Sequence, residues 1–172
     1  MKRHHSPCIV ALAALGLIGF TTPSQPSDDK PKKEQIAWLS FEQGLAVSKK
    51  EKKMLVVDFY TDWCGWCKVM DRETYGNASV IKFAREKLVF VKVNAESDAK
   101  TKFRDREYTY RELARAFGVT GYPATAFIDS SGDVITLVPG YVPPDKFLPV
   151  LEYLEGGHYK NMKFDEFVEK KK

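Results

Sequence analysis

The chain has 172 residues, 44% hydrophobic and 29% charged, which is enough for one globular domain with a proper core and too little for two. Its formal charge of +4 falls to +2 once residues 1–24, which hold Lys2 and Arg3 and no acid, are set aside, so it carries no electrostatic footprint for nucleic acid. Three cysteines are too few for a disulfide-stapled scaffold.

Residues 1–24 read as a signal peptide: Lys2 and Arg3 open it, Cys8 to Phe20 is uncharged, and Thr22 and Ser24 are small residues at a suitable distance for cleavage. The run is short for a membrane span, which takes about 20 residues; the other reading is a retained anchor. Cys8 stands at the start of the apolar run, not at its end, so it does not fit a lipid-modified cysteine. Residues 25–35 form a linker rich in proline, serine, lysine and aspartate, which cannot bury a core.

The domain proper is read over 36–155. Ile36 to Leu39 suggests a short strand. Ser40 with Gln43 makes a capping box for a helix whose inner face holds Phe41 and Leu45. Lys49-Lys50-Glu51-Lys52-Lys53 reads as a solvated turn. Met54 to Tyr60 is an apolar run rich in valine and aromatics, predicting a buried central strand. Asp58 interrupts it. As a buried carboxylate it would have a raised pKa and could accept the Cys67 proton through water; as a strand-end residue it would be solvated.

Trp63-Cys64-Gly65-Trp66-Cys67-Lys68 follows directly, and Lys68 to Thr74 contains no proline. A Cys-X-X-Cys at a strand-to-helix junction places the first sulfur at the helix N-terminus, where free N–H groups and the dipole favour a thiolate. The second sulfur lies one turn in. A thiolate attacks a disulfide, and a thiol one turn away resolves the mixed disulfide. Zinc needs four ligands, and no second cysteine pair exists. Haem attachment needs a histidine where Lys68 stands. An inert structural disulfide is the remaining alternative.

Gly76-Asn77 breaks the helix, and Val80, Phe83 and Ala84 give the inner face of the next. Leu88 to Val93 predicts a strand. Its Lys92 either stabilises the Asp58 anion or points outward. Ala95 to Tyr110 is basic with acids interspersed and reads as a solvated loop and helix face. Tyr110, Leu113, Ala114 and Phe117 form a helical stripe that ends at Gly118. Tyr122-Pro123 precedes a strand over Ala124 to Asp129, and Asp129-Ser130-Ser131-Gly132-Asp133 joins it to Val134–Val138 as a hairpin. Pro144 fits a helix start, with Phe147, Val150, Leu151 and Leu154 facing inward; Pro149 predicts a kink or a later start. Residues 156–172 read as a C-terminal extension with a docked helix carrying Phe164, Phe167 and Val168.

Four features in order resemble the thioredoxin superfamily over roughly Ile36 to Leu154: Asp58 six residues before Cys64, Trp63 directly before it, Lys92 on the next strand, and Gly121-Tyr122-Pro123-Ala124-Thr125 as a cis-proline loop. The Gly65-Trp66 dipeptide, the longer segment before Pro123, the leader and the tail make the chain more similar to the extracytoplasmic thioredoxin-like proteins of bacteria, including the C-terminal domain of the transmembrane thiol-disulfide interchange protein. The resemblance implies an α/β thioredoxin fold, a mixed central sheet flanked by helices. It implies thiol-disulfide oxidoreduction with Cys64 as nucleophile and Cys67 resolving, served by Asp58 and Lys92, and a substrate surface of Trp63, Gly65, Trp66, Tyr122 and Pro123. No cofactor or metal is needed. The partners implied are disulfide or dithiol proteins and a redox partner such as the membrane interchange protein. The absence of a histidine between the cysteines, and an acid nearby, lean toward reduction over oxidation or isomerisation; a non-catalytic binding module is the alternative of another class. No dimerisation signal is present, so a monomer is expected.

Overall fold

The run Met54–Tyr60 forms β2, the middle strand of a five-stranded sheet with order β1-β3-β2-β6-β7. The computed structural model describes residues 34–171. The expected signal segment with Cys8, and all but the last two residues of the expected linker, lie outside the described residues.

β1 (Trp38–Leu39) and β2 both run parallel to β3 (Leu88–Asn94), while β6 (Ala124–Ile128) is antiparallel to β2 and β7 (Val134–Pro139) antiparallel to β6. Parallel neighbours need crossovers. α1 (Phe41–Glu51) supplies the first, and α2 (Gly65–Glu73) with α3 (Ala78–Lys87) the second. The antiparallel pair β6–β7 needs only the Asp129–Asp133 turn, where Asp129 Oδ1 accepts the N–H groups of Ser131 and Asp133, each at 2.9 Å.

Because side chains alternate across a strand, β2 feeds two separate cores. Val56 joins Phe90, Phe127, Met70, Tyr75, Val80 and, from α5 (Pro144–Glu155), Phe147 and Leu151. Leu55, Val57 and Phe59 join Phe41, Val91, Ala126 and, from α4 (Tyr110–Ala116), Leu113. Asp58 lies in register with Lys92 on one side and Thr125 on the other. The three therefore form a polar row across the sheet, on the face that carries Val56.

The Ser40–Gln43 capping box is present. The lysine-rich cluster expected as a turn is instead partly helical. α1 runs to Glu51, and the left-handed Lys52 (φ 55°) closes it with its N–H on the Ser48 carbonyl. Lys49 and Lys50 sit in the last turn, where cations complement the helix dipole.

The segment 95–110, expected as a solvated loop and helix face, contains a hairpin of β4 (Lys100–Phe103) and β5 (Arg106–Thr109). Thr101 and Phe103 are buried while Lys100 and Lys102 are exposed, the alternation of a half-buried strand. Dense charge hid that period of two. Phe103 packs edge-on to Phe41 with ring centroids 5.6 Å apart, which ties the hairpin to α1.

α5 starts at Pro144, as expected, and continues through Pro149, so the later start does not occur. Pro149 leaves only the Asp145 carbonyl without its helical donor, and Asp145 is solvent-exposed. Phe147, Leu151 and Leu154 are buried and hold the helix in place. Beyond Gly157, α6 (Phe164–Lys170) packs Phe164 and Phe167 against Tyr153 of α5, at 5.3 and 5.5 Å between ring centroids.

Candidate functional site: a disulfide at the start of a helix

Cys64 is the N-cap of α2, and its Sγ accepts the Cys67 N–H at 3.0 Å. The Cys64 N–H in turn reaches the Thr61 carbonyl at 3.2 Å, a tight turn that brings the chain from β2 into the helix. The two cysteines are joined as a disulfide with Cα atoms 5.3 Å apart, and both are buried. In the reduced state the same N–H, together with the helix dipole, favours a thiolate on Cys64.

Around this buried pair the surface is aromatic. Trp63 is 67% exposed and Trp66 is 61% exposed. Trp63 meets Tyr122 edge-on at 6.1 Å, and its Nε1 donates to Glu96 Oε1 at 3.0 Å. That contact brings the loop before β6 against the cysteine turn. The Tyr122–Pro123 peptide bond is cis, Pro123 is buried, and its carbonyl accepts the Gly140 N–H at 2.8 Å. A Cβ on Gly65 would meet open space, so this first helical residue leaves the approach to the sulfurs unobstructed.

Asp58 is only 2% exposed, which excludes the solvated strand-end reading. Lys92 Nζ lies 3.6 Å from Asp58 Oδ2 and the Tyr75 hydroxyl donates to Asp58 Oδ1 at 3.3 Å. The Tyr75 hydroxyl also lies 3.2 Å from Thr125 Oγ1. Burial pushes the Asp58 carboxyl up to about 7; the Lys92 charge opposes this, and the nearby Asp71 charge adds to it. Burial and the Asp58 charge likewise push the Tyr75 phenol well above its usual range. Lys92 makes its shortest contacts with Asp71, at 2.5 and 2.6 Å, and lies over the rings of Trp38 and Tyr60 at 5.0 and 4.9 Å. Both readings of Lys92 thus hold in part: it faces the buried acid while its ammonium ends in a surface cleft beside Trp38 and Asp71.

Sequence reasoning missed Asp71, Tyr75, Thr125 and Tyr141. Asp71 and Tyr75 are four apart and share one side of the α2 segment, the side facing the polar row. Thr125 is the single polar residue of β6. Those signals were available once the row was suspected. Tyr141, in the loop after β7, had none.

The family model of the thioredoxin-like domain matches residues 41–155, from the first residue of α1 to the last of α5. The chain belongs to the thioredoxin-like domain family. This thioredoxin-like chain is 33% identical over 111 residues to human protein disulfide-isomerase A2, a match covering 63% of this chain and 19% of that protein. It is 27% identical over 140 residues to the thiol:disulfide interchange protein DsbD of Vibrio vulnificus, covering 73% of this chain and 22% of that one. The chain thus spans about a fifth of the length of these curated relatives. Among solved structures, a thioredoxin-fold protein from Helicobacter pylori superposes with a TM-score of 0.61 at 25% identity, covering 70% of this chain and 80% of that one.

Proposed function

We propose that this chain is a thiol-disulfide oxidoreductase that reduces disulfides of exported proteins through the Cys64–Cys67 dithiol. The observation that carries the reading is the position of Cys64: helix N-cap, sulfur receiving the Cys67 N–H, disulfide-bonded to a partner one turn in. In the reduced protein the Cys64 thiolate attacks a substrate disulfide. A Cys64–substrate bond forms, the substrate disulfide breaks, and the departing thiolate takes up a proton. Cys67 then gives up its proton and attacks Cys64. The Cys64–Cys67 disulfide forms and the second substrate thiolate leaves, so two electrons pass from the dithiol to the substrate. Asp58, with a pKa near neutrality, takes the Cys67 proton through water, and Lys92 tempers the charge that develops. Tyr122 and Pro123 line the groove beside the sulfurs with Trp63.

The buried acid disfavours additional negative charge next to the dithiol, which destabilises the reduced thiolate form and supports reduction of substrates. A membrane thiol-disulfide interchange protein is the proposed electron donor. The likeness to DsbD and the leader read at residues 1–24 support a site of action outside the cytoplasm. In this reading residues 36–155 are the catalytic domain, 156–172 a docked extension, and the protein acts as a monomer. Disulfide isomerisation is the second reading, favoured by the name of the human relative.

Turnover of insulin disulfides with dithiothreitol as reductant tests the activity, and Cys64→Ser abolishes it. A purely structural disulfide gives no turnover in either protein. The reduction potential then fixes direction: about −270 mV supports a reductase, and about −120 mV makes the protein a disulfide donor.

A further inference from the structure

Among the described residues, Trp63 and Trp66 are the two most exposed large apolar side chains; the third, Val134, is 42% exposed. Isolated exposed apolar residues are ordinary. These two flank one disulfide, and each is backed by a tyrosine.

The support behind Trp66 is built more firmly than a solvent-facing ring needs. Its indole lies 5.5 Å from the Tyr141 ring at an interplanar angle of 31°, a tilted ring-on-ring contact. The Tyr141 hydroxyl donates to Glu73 Oε2 at 2.7 Å, and Arg72 Nη2 donates to Glu73 Oε1 at 2.8 Å. Next to Tyr141, the Val142 carbonyl accepts the Thr74 hydroxyl at 2.6 Å. The loop after β7 is therefore tied twice to the end of α2. Neither Tyr141 nor Glu73 hydrogen-bonds to the cysteines, so the exchange chemistry does not require this arrangement. What it achieves is to fix an indole, open on its outer side, beside a reactive sulfur.

Resting on the thiol-disulfide reading above, we infer that Trp66, held against Tyr141, is a specificity shelf that selects polypeptide disulfides carrying an aromatic side chain within a few residues of the reacting cysteine. A flat, rigid ring has no walls to enclose a small disulfide, but it offers a full face to another ring. A cationic side chain would also suit an aromatic face, but the exposed Lys68 on the same helix disfavours it, while Arg72 is neutralised by Glu73. Tyr141 is the positioning residue: its ring and its bond to Glu73 fix the indole.

The test uses the full chain, reduced beforehand, and two cysteine peptides held as mixed disulfides with a chromogenic thiol. The peptides are identical except for Phe or Gly beside the cysteine. Hydroxyethyl disulfide serves as a small substrate. In single turnovers with peptide in excess, each oxidising the Cys64–Cys67 dithiol once, the expected result is a half-saturating concentration about tenfold lower for the Phe peptide with a similar limiting rate, falling to about threefold in Tyr141→Phe, which keeps the ring and loses its anchor, and to none in Tyr141→Ala. Wild-type protein that reduces hydroxyethyl disulfide yet treats both peptides alike overturns the inference. So does a full preference surviving in Tyr141→Phe, which decides the matter even if Tyr141→Ala does not fold. Wild-type protein that reduces none of the three overturns the thiol-disulfide reading itself.

Discussion

Val57 and Asp58 are adjacent in β2 and almost equally buried, at 0% and 2% exposure, yet they face opposite halves of the molecule. Val57 pairs with Val91 and Ala126 in a row with no polar side chain; Asp58 pairs with Lys92 and Thr125. One side of the sheet is a plain apolar core under α1 and α4. The other carries the same kind of core under α3 and α5, but at its end beside the cysteines it admits an acid, a base and two hydroxyls. Burial by itself does not separate a plain core residue from a titratable one. What separates them here is whether the buried group arrives with partners, since an unpartnered buried charge costs several kcal/mol and a partnered one becomes a tunable acid.

Moving the charge to the other face breaks the comparison most severely. Val57→Asp places a carboxylate among Leu113, Ala126 and Phe41 with no partner and should cost about 4 kcal/mol, abolishing the cooperative urea transition of the wild type. Removing the charge from its own face has the opposite sign. The Asp58 pKa rises from 3.8 to about 7 on folding. Between those values the unfolded chain binds fewer protons than the native one, so stability declines as pH rises through this window, and the full cost is present above it. Asp58→Asn therefore unfolds at higher urea than wild type at pH 8, by on the order of 2 kcal/mol, and shows no such advantage at pH 3.

A smaller effect tests how closely the apolar face is packed. A Cβ on Gly44 of α1 would run into Val91 Cγ1 and Leu55 Cδ1, both on buried strands. Gly44→Ala should lower stability by about 1–2 kcal/mol, although alanine is the better helix former. The most subtle test sharpens the polar face. Lys92 holds the Asp58 pKa down. If Asp58 takes the Cys67 proton as proposed, Lys92→Met shifts the inflection of the resolving step, followed by stopped flow against pH, upward by about one unit. An unchanged inflection would mean that another group sets it.

The strand Met54–Tyr60, the Ser40 cap, the helix-initiating cysteines, the Leu113–Ala114 stripe and the hairpin at Asp129–Asp133 could all be read locally, because each is fixed by neighbours within a few residues. So could the placing of Cys64 and Cys67 one turn apart at a helix start, and Asp58 as a buried acid. The β4–β5 hairpin could not, because its lysines and arginines masked an alternation that only packing on Phe41 reveals. Pro149 does not delay the helix for a related reason: local geometry penalises it, and buried Phe147 and Leu151 on either side outweigh that penalty.

The sequence by itself determined the order of the elements outside the 95–110 segment and the place of the cysteine pair at a helix start. These follow from period, capping and spacing, all short-range properties; the family followed from the resemblance of four motifs in order. Only the tertiary structure decided that Lys92 is shared between Asp58 and Asp71, that Tyr75 and Thr125 complete the acid's surroundings, and that Tyr141 backs Trp66. Those pairings join residues up to 75 positions apart in the chain. They exist because strand register and helix crossovers bring distant segments together, and nothing in the local sequence of either partner specifies the other.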